Sequence, residues 1–381
     1  TYTFLGSIGL SLFGLFFATL TGEKHWQVVL SVLLICGLLF SCWMFMMATY
    51  GALYEDLFDF REAWFWYAAG MILSAYGGFA ASVFLAACAQ INFASSNRST
   101  GLRITALVHC LLFAGWLAFV WIFEAKGGAG VLAAGMCLAA LYWFGMGALM
   151  TGEEADLSLR VRRQLPQSFL GRVFLTWLSP GPGTGYILAV STLLSQGLLC
   201  LFGLVMMDFI RPVDWRPAGP YYERTIWFII LSWSYVTLYL GMGRGLIGMA
   251  RKVSKVSPHT TLLIQILLAI MGVAAPLMLD FFFGKFQSRF EYWWLHGSNP
   301  MWTMINVMEG RVSFGDMAVV QILVPFAALV VLLLNFPSVA EEVRRIRIAA
   351  PNRVAEEDAA QEALLHPVRH VKTNPWDEAP A

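Results

Sequence analysis

Nine stretches of about twenty residues or more are almost free of charge: 2–21, 26–50, 64–91, 104–123, 128–150, 185–208, 226–250, 261–283 and 317–335. About 20 residues rising 1.5 Å each cross the hydrocarbon of a bilayer, so runs of this length mark spanning helices. Backbone groups in lipid have no water to bond, which leaves helices and closed barrels as the spanning structures. No period-two alternation of apolar and polar residues runs through these stretches, which argues against a barrel. The chain therefore reads as an all-α polytopic transmembrane bundle of about nine spans with short interfacial helices. Only 13% of its residues are charged, against about 25% in soluble domains, which agrees.

The polar breaks between the runs alternate in character. Residues 93–103 hold Arg98 and Arg103, residues 152–172 hold Arg160, Arg162, Arg163 and Arg172, residues 251–260 hold Arg251, Lys252 and Lys255, and the tail begins "EEVRRIR". With nine spans these fall on one side. The other side receives "GALYEDLFDFRE", "AKGG", "RPVDWRPAGPYYER" and the long 284–316 segment, whose bases are mixed with acids, Pro and Trp. Basic loops are retained in the cytoplasm, so the first set and the C-terminus are expected there. The acceptor triplet Asn97-Arg98-Ser99 then lies on the side where glycosylation does not occur, and reads as coincidence. Residues 352–381 turn polar and read as a disordered tail.

Several functions lack their residues. There is no GxxxxGK[ST] phosphate loop and no HExxH, GxSxG or HxE…CxxC pattern, so the chain reads as neither an ATPase nor any other enzyme, with no cofactor. The six cysteines all sit inside apolar runs without metal-ligand spacing, which predicts no metal site. No basic block suggests nucleic acid. "SPGPGTGY" at 179–186 has no βαβ context and reads as a helix break at the membrane surface, set by Pro180 and Pro182.

Ionisable residues inside spans are functional candidates, because charge in lipid is costly. Arg244, in "GMGRGLIG", is expected to sit at a helix–helix contact and to snorkel toward the cytoplasmic surface, with Gly241 and Gly245 as a small-residue pair that permits the close approach. Asp208 and Asp280 read as interfacial residues beside a base, and His109 as a hydrogen-bonded core histidine. Pro276 should kink its helix and free backbone carbonyls for a neighbour. The outer segment 284–316 is too polar to span twice and is expected to lie in, or dip into, the interface. In 152–172, Leu157, Val161 and Leu165 are interleaved with Arg160, Arg162 and Arg163. That pattern suits either an interfacial helix on anionic lipid or a docking element for a cytoplasmic partner.

The second part of the chain resembles a type-two ABC exporter permease over residues 104–340. Its six spans carry a basic amphipathic stretch between the second and third, and "GSNPMW" at 297–302 before the last. The resemblance implies that 152–172 is the coupling element that docks a separate cytoplasmic ATPase, through Leu157, Arg160, Val161, Arg162, Arg163 and Leu165. It implies an outer re-entrant segment at Asn299 and Pro300, an amphipathic or lipid-linked substrate, and a bacterial plasma membrane. Residues 1–103 then form an additional three-span unit with the first cytoplasmic loop, and 341–381 a cytoplasmic tail. The competing reading is a non-transporting membrane scaffold or assembly subunit. Membrane lipids and a homo- or hetero-oligomer are the other expected partners.

Overall fold

The computed structural model describes residues 2–20, 61–91, 97–124, 128–153, 168–210, 219–254, 256, 258–282, 292, 294–310 and 314–347, with scattered positions in 32–50 and 356–362. Among them every regular element is helical: α1 Tyr2–Leu20, α2 Ala63–Ile91, α3 Thr100–Phe119, α4 Ala129–Met150, α5 Phe169–Leu178, α6 Pro182–Ile210, α7 Gly219–Ala250, α8 Pro258–Phe282, α9 Pro300–Glu309 and α10 Phe314–Arg347. A π-turn, Val120–Glu124, continues α3, and a 3₁₀ turn, Trp294–Ser298, precedes α9.

Among the described residues seven helices are long and apolar enough to cross a membrane: Ala63–Ile91, Thr100–Phe123, Ala129–Met150, Pro182–Met207, Tyr221–Ala250, Thr260–Phe282 and Ala318–Arg344. They coincide with seven of the nine apolar runs. Of the other two, 2–21 forms α1, whose described apolar part, Gly6–Phe16, is shorter than a span. The run 26–50 lies outside the described residues apart from isolated positions.

Helix α7 is the central post. Two-thirds of its spanning window (67%) is buried, against 11% for the windows of α2 and α8. Its polar residues tolerate that burial because they bond their own helix: the Ser232 hydroxyl donates to the Phe228 carbonyl at 2.7 Å and Ser234 to Ile230 at 2.8 Å. Helices α4, α6 and α10 pack around it, while α1, α2 and α3 follow one another along the flank. The Trp116 indole of α3 donates to Ser74 of α2 at 2.8 Å, tying that flank together.

Candidate functional site

Among the described residues, many of the buried polar groups fall into two clusters. The first surrounds "SPGPGTGY". Here α5 stops at Leu178 and α6 starts at Pro182, so the chain between them exposes carbonyls and amides that no helix satisfies. A cation takes the carbonyls. Arg103, fully buried in the first turn of α3, donates to the backbone oxygens of Trp177 (2.9 Å), Ser179 (2.5 Å) and Gly181 (2.9 Å), and to the Thr184 hydroxyl at 2.9 Å. Two carboxylates take the amides. Glu153, 2.5 Å from Arg103, accepts from the Gly181 N–H at 3.2 Å, and Glu342 of α10 accepts from Gly183 at 2.9 Å and Thr184 at 3.1 Å. A carboxylate at a helix start also suits the helix dipole.

Gly181 makes this geometry possible. Its φ of +153° disfavours a side chain, and a Cβ there would stand 2.0 Å from a Glu342 oxygen. Ser99 donates to Glu153 at 2.5 Å, Thr100 donates to the Leu178 carbonyl at 2.8 Å, and Arg251 donates to the Gly152 carbonyl at 2.7 Å. Arg244 completes the cluster. Its guanidinium donates to Asn335 Oδ1 at 2.8 Å and to Ser338 at 2.7 Å, and stands 3.8 Å from Glu342. Arg244 is only 9% exposed and sits at a helix–helix contact, joining α7 to the acceptors that α10 brings to it.

The second cluster is a hairpin folded into the bundle. After α8 the chain returns inward as the 3₁₀ turn Trp294–Ser298, then reverses as α9. Asn299 caps α9, its side-chain oxygen accepting from the Trp302 N–H at 3.0 Å, and Pro300 supplies the first turn with its preset φ. The tip reaches far inside. Pro276 has no N–H, so the Gly272 carbonyl loses its helical partner, and the Ser298 hydroxyl donates to it at 3.2 Å. Gly272 lies ten residues before the helix end at Phe282, about 15 Å along the axis and half the hydrocarbon thickness. Tyr235 donates to the Gly297 carbonyl at 2.7 Å, and Tyr239 to the Ser298 carbonyl. The Tyr239 hydroxyl occupies the space a Cβ on Gly272 would fill.

Asp280 belongs to this hairpin too. It is buried, 5% exposed, and its carboxylate lies 2.6 Å from His296 Nε2. The base beside it is His296, sixteen residues further along the chain on the re-entrant turn.

The remaining candidates divide. His109 Nδ1 is 3.0 Å from the Tyr142 hydroxyl, a core hydrogen bond between α3 and α4. Gly241 sits where α7 meets α10, and a Cβ there would come within 2.5 Å of Val331. Gly245 has nothing within 4 Å and faces outward, so it takes no part in the close approach; Gly243 does, packed onto Gln265 of α8. The buried stripe of α7 runs on through Gly243, Arg244 and Ile247, and Gly245 lies to one side of it. Asp208 stands in the last turn of α6, its side chain outside what is described, and Leu157, Arg160, Val161, Arg162, Arg163 and Leu165 all lie outside the described residues. Among the described residues no three of His, Cys, Asp and Glu converge as metal ligands would.

Sequence reasoning missed Glu153, Glu342, Asn335 and His296, and placed Arg103 in a loop. The signal was available: "SPGPGTGY" needs donors and acceptors from elsewhere once it is buried, and an unassigned Arg and Glu lay just beyond span ends.

Gly243→Leu is expected to lower the melting temperature in detergent by several degrees, as a buried overpacking change of about 1–3 kcal/mol. Gly245→Leu should leave it nearly unchanged. Equal losses would mean that both glycines face a helix.

No family model, no curated protein and no solved structure matches this chain.

Proposed function

We propose that this chain is the permease subunit of an ABC-type exporter, moving an amphipathic or lipid-linked substrate with energy from a separate cytoplasmic ATPase. The observation that carries the reading is the hairpin 294–309, whose tip bonds α7 and α8 halfway through the bundle. Non-helical backbone at that depth persists only where protein or a cavity satisfies it, and transporters build substrate paths from such discontinuous helices. Buried acid–base pairs at Asp280–His296 and Arg244–Glu342 add ionisable groups inside a hydrocarbon-depth bundle. The reading includes nine spans in a bacterial plasma membrane, with the Arg103 cluster and the C-terminal tail facing the cytoplasm.

The test has two arms. In a cysteine-free background, Ser254→Cys should react with an impermeant maleimide from the cytoplasmic side and Glu309→Cys from the outside. Labelling from the same side would sink the topology. For coupling, the native protein should recover a cytoplasmic ATPase on purification. Val161→Asp should abolish that recovery, and exchanging Arg162 and Arg163 for Lys should weaken it, since Lys retains charge for lipid but loses the bidentate fork that protein carboxylates prefer. If no ATPase co-purifies with the native chain, or neither change alters its recovery, the permease reading falls and a non-transporting scaffold replaces it.

A further inference from the structure

We propose that a groove between α3, α4 and α6 binds one acyl chain of a membrane phospholipid, with the Trp121 indole N–H donating to an oxygen at the head of the chain. The groove encloses about 260 Å³ and its walls are almost wholly apolar, formed by Phe113, Leu117 and Trp121 of α3 and its π-turn, Leu132 and Met136 of α4, and Gly203 of α6. Trp121 is 6% exposed, yet its N–H has no hydrogen-bond partner among the described residues. The neighbouring indoles differ. Trp116 donates to Ser74 at 2.8 Å, Trp143 to Gln196 at 3.0 Å and Trp233 to the Val190 carbonyl at 3.2 Å. Six buried side-chain polar atoms lack a partner among the described residues, and of these the Trp121 N–H is the one that belongs to a residue lining the groove; a buried donor left open calls for an acceptor. The Trp121 ring lies close to Gly203, another wall residue, whose added Cβ would be 3.9 Å from Cε2.

Position and size choose the occupant. Trp121 lies two residues from the end of the span Thr100–Phe123, at the level where lipid glycerol esters sit, while Phe113 lies deeper. Eight residues separate them, about 12 Å of helix and somewhat less than one leaflet of hydrocarbon. The groove is continuous with the lipid-facing surface, since Ile122, Leu199 and Phe202 on its rim are exposed. A chain entering from the leaflet would place its methylenes against Phe113, Leu117 and Met136 and its ester oxygen at the indole. The π-turn sets Trp121 on a bulge, a device frequent at functional positions. This proposal does not rest on transport: a scaffold with the same groove would hold the same lipid.

The test uses the full chain in nanodiscs of phosphatidylethanolamine and phosphatidylglycerol, doped with a phosphatidylethanolamine whose acyl chain carries a diazirine. After irradiation, adducts are mapped by peptide mass spectrometry. They should concentrate on residues 113–122 and 132–136, several-fold above the equally lipid-exposed face of α8 at Leu263 and Ile270. Ala114→Phe, which fills the groove, should abolish that excess, and Trp121→Phe, which deletes only the donor, should reduce it about fivefold, the factor of one ordinary hydrogen bond. Should Ala114→Phe fail to elute as the native protein, Ala118→Phe on the same wall replaces it. Even labelling of the groove and α8, or a groove occupied by cross-links to a second copy, overturns the proposal. A response to Ala114→Phe without one to Trp121→Phe overturns the hydrogen-bonded head.

Discussion

Replacing Arg103 with Met is expected to cost the folded bundle about 3–5 kcal/mol, the usual loss when one partner of a buried ion pair is removed. The melting temperature in detergent should fall by roughly 10 °C. Met retains length and apolar volume, so the loss reports the guanidinium. Without it the carbonyls of Trp177, Ser179 and Gly181 and the Glu153 carboxylate lose their shared donor. Arg103→Lys should recover only part of the loss, because one ammonium has three donors and no planar fork to spread over those acceptors. A Met variant melting within a degree or two of the native protein would show that the loop 179–184 is held some other way.

Gly272→Ala should open the re-entrant hairpin. Its new methyl group falls on the Tyr239 hydroxyl, so the ring must leave and the bond to the Ser298 carbonyl goes with it. Tyr239→Phe removes the same hydrogen bond without the clash and should cost only about 1 kcal/mol. The difference can be read with a cysteine at Thr303, which is fully buried in the native hairpin. Its maleimide reaction should quicken about tenfold in the Gly272→Ala background, corresponding to local opening eased by roughly 1.4 kcal/mol. Unchanged protection would mean that Tyr239 is not what seats the hairpin.

Hydropathy located the seven long apolar helices, because charge is excluded from lipid whatever the tertiary packing. It did not find all of their ends. The apolar run 317–335 stops where polar residues begin, yet α10 continues to Arg347 and carries Glu342 to the α6 start. Arg103 fell outside the run 104–123 for the same reason, although it lies within the helix and is wholly covered by protein. Hydropathy reports what faces lipid, and a charge paired inside the bundle is indistinguishable from one in a loop. Pro276 was legible as a source of a free carbonyl, since its missing N–H is a covalent fact. That Ser298 would be the group to answer it depends on tertiary contact alone. Gly245 illustrates the converse, a spacing rule satisfied on a face that nothing covers.

Helix α10 has a mechanical consequence. At about 51 Å it is far longer than the hydrocarbon is thick, and it bears on both polar clusters. Val320 abuts Gly297 in the hairpin, while Asn335, Ser338 and Glu342 hold Arg244 and the start of α6. A continuous rod so anchored would act as a strut, passing any axial push from one face of the membrane to the other. Pro325 and Pro337 interrupt its ladder of hydrogen bonds, the first between the anchorages and the second within the lower one. The strut is therefore jointed: it bears load along its axis but bends at two known places, and sideways displacement at one end is spent at those joints before it reaches the other.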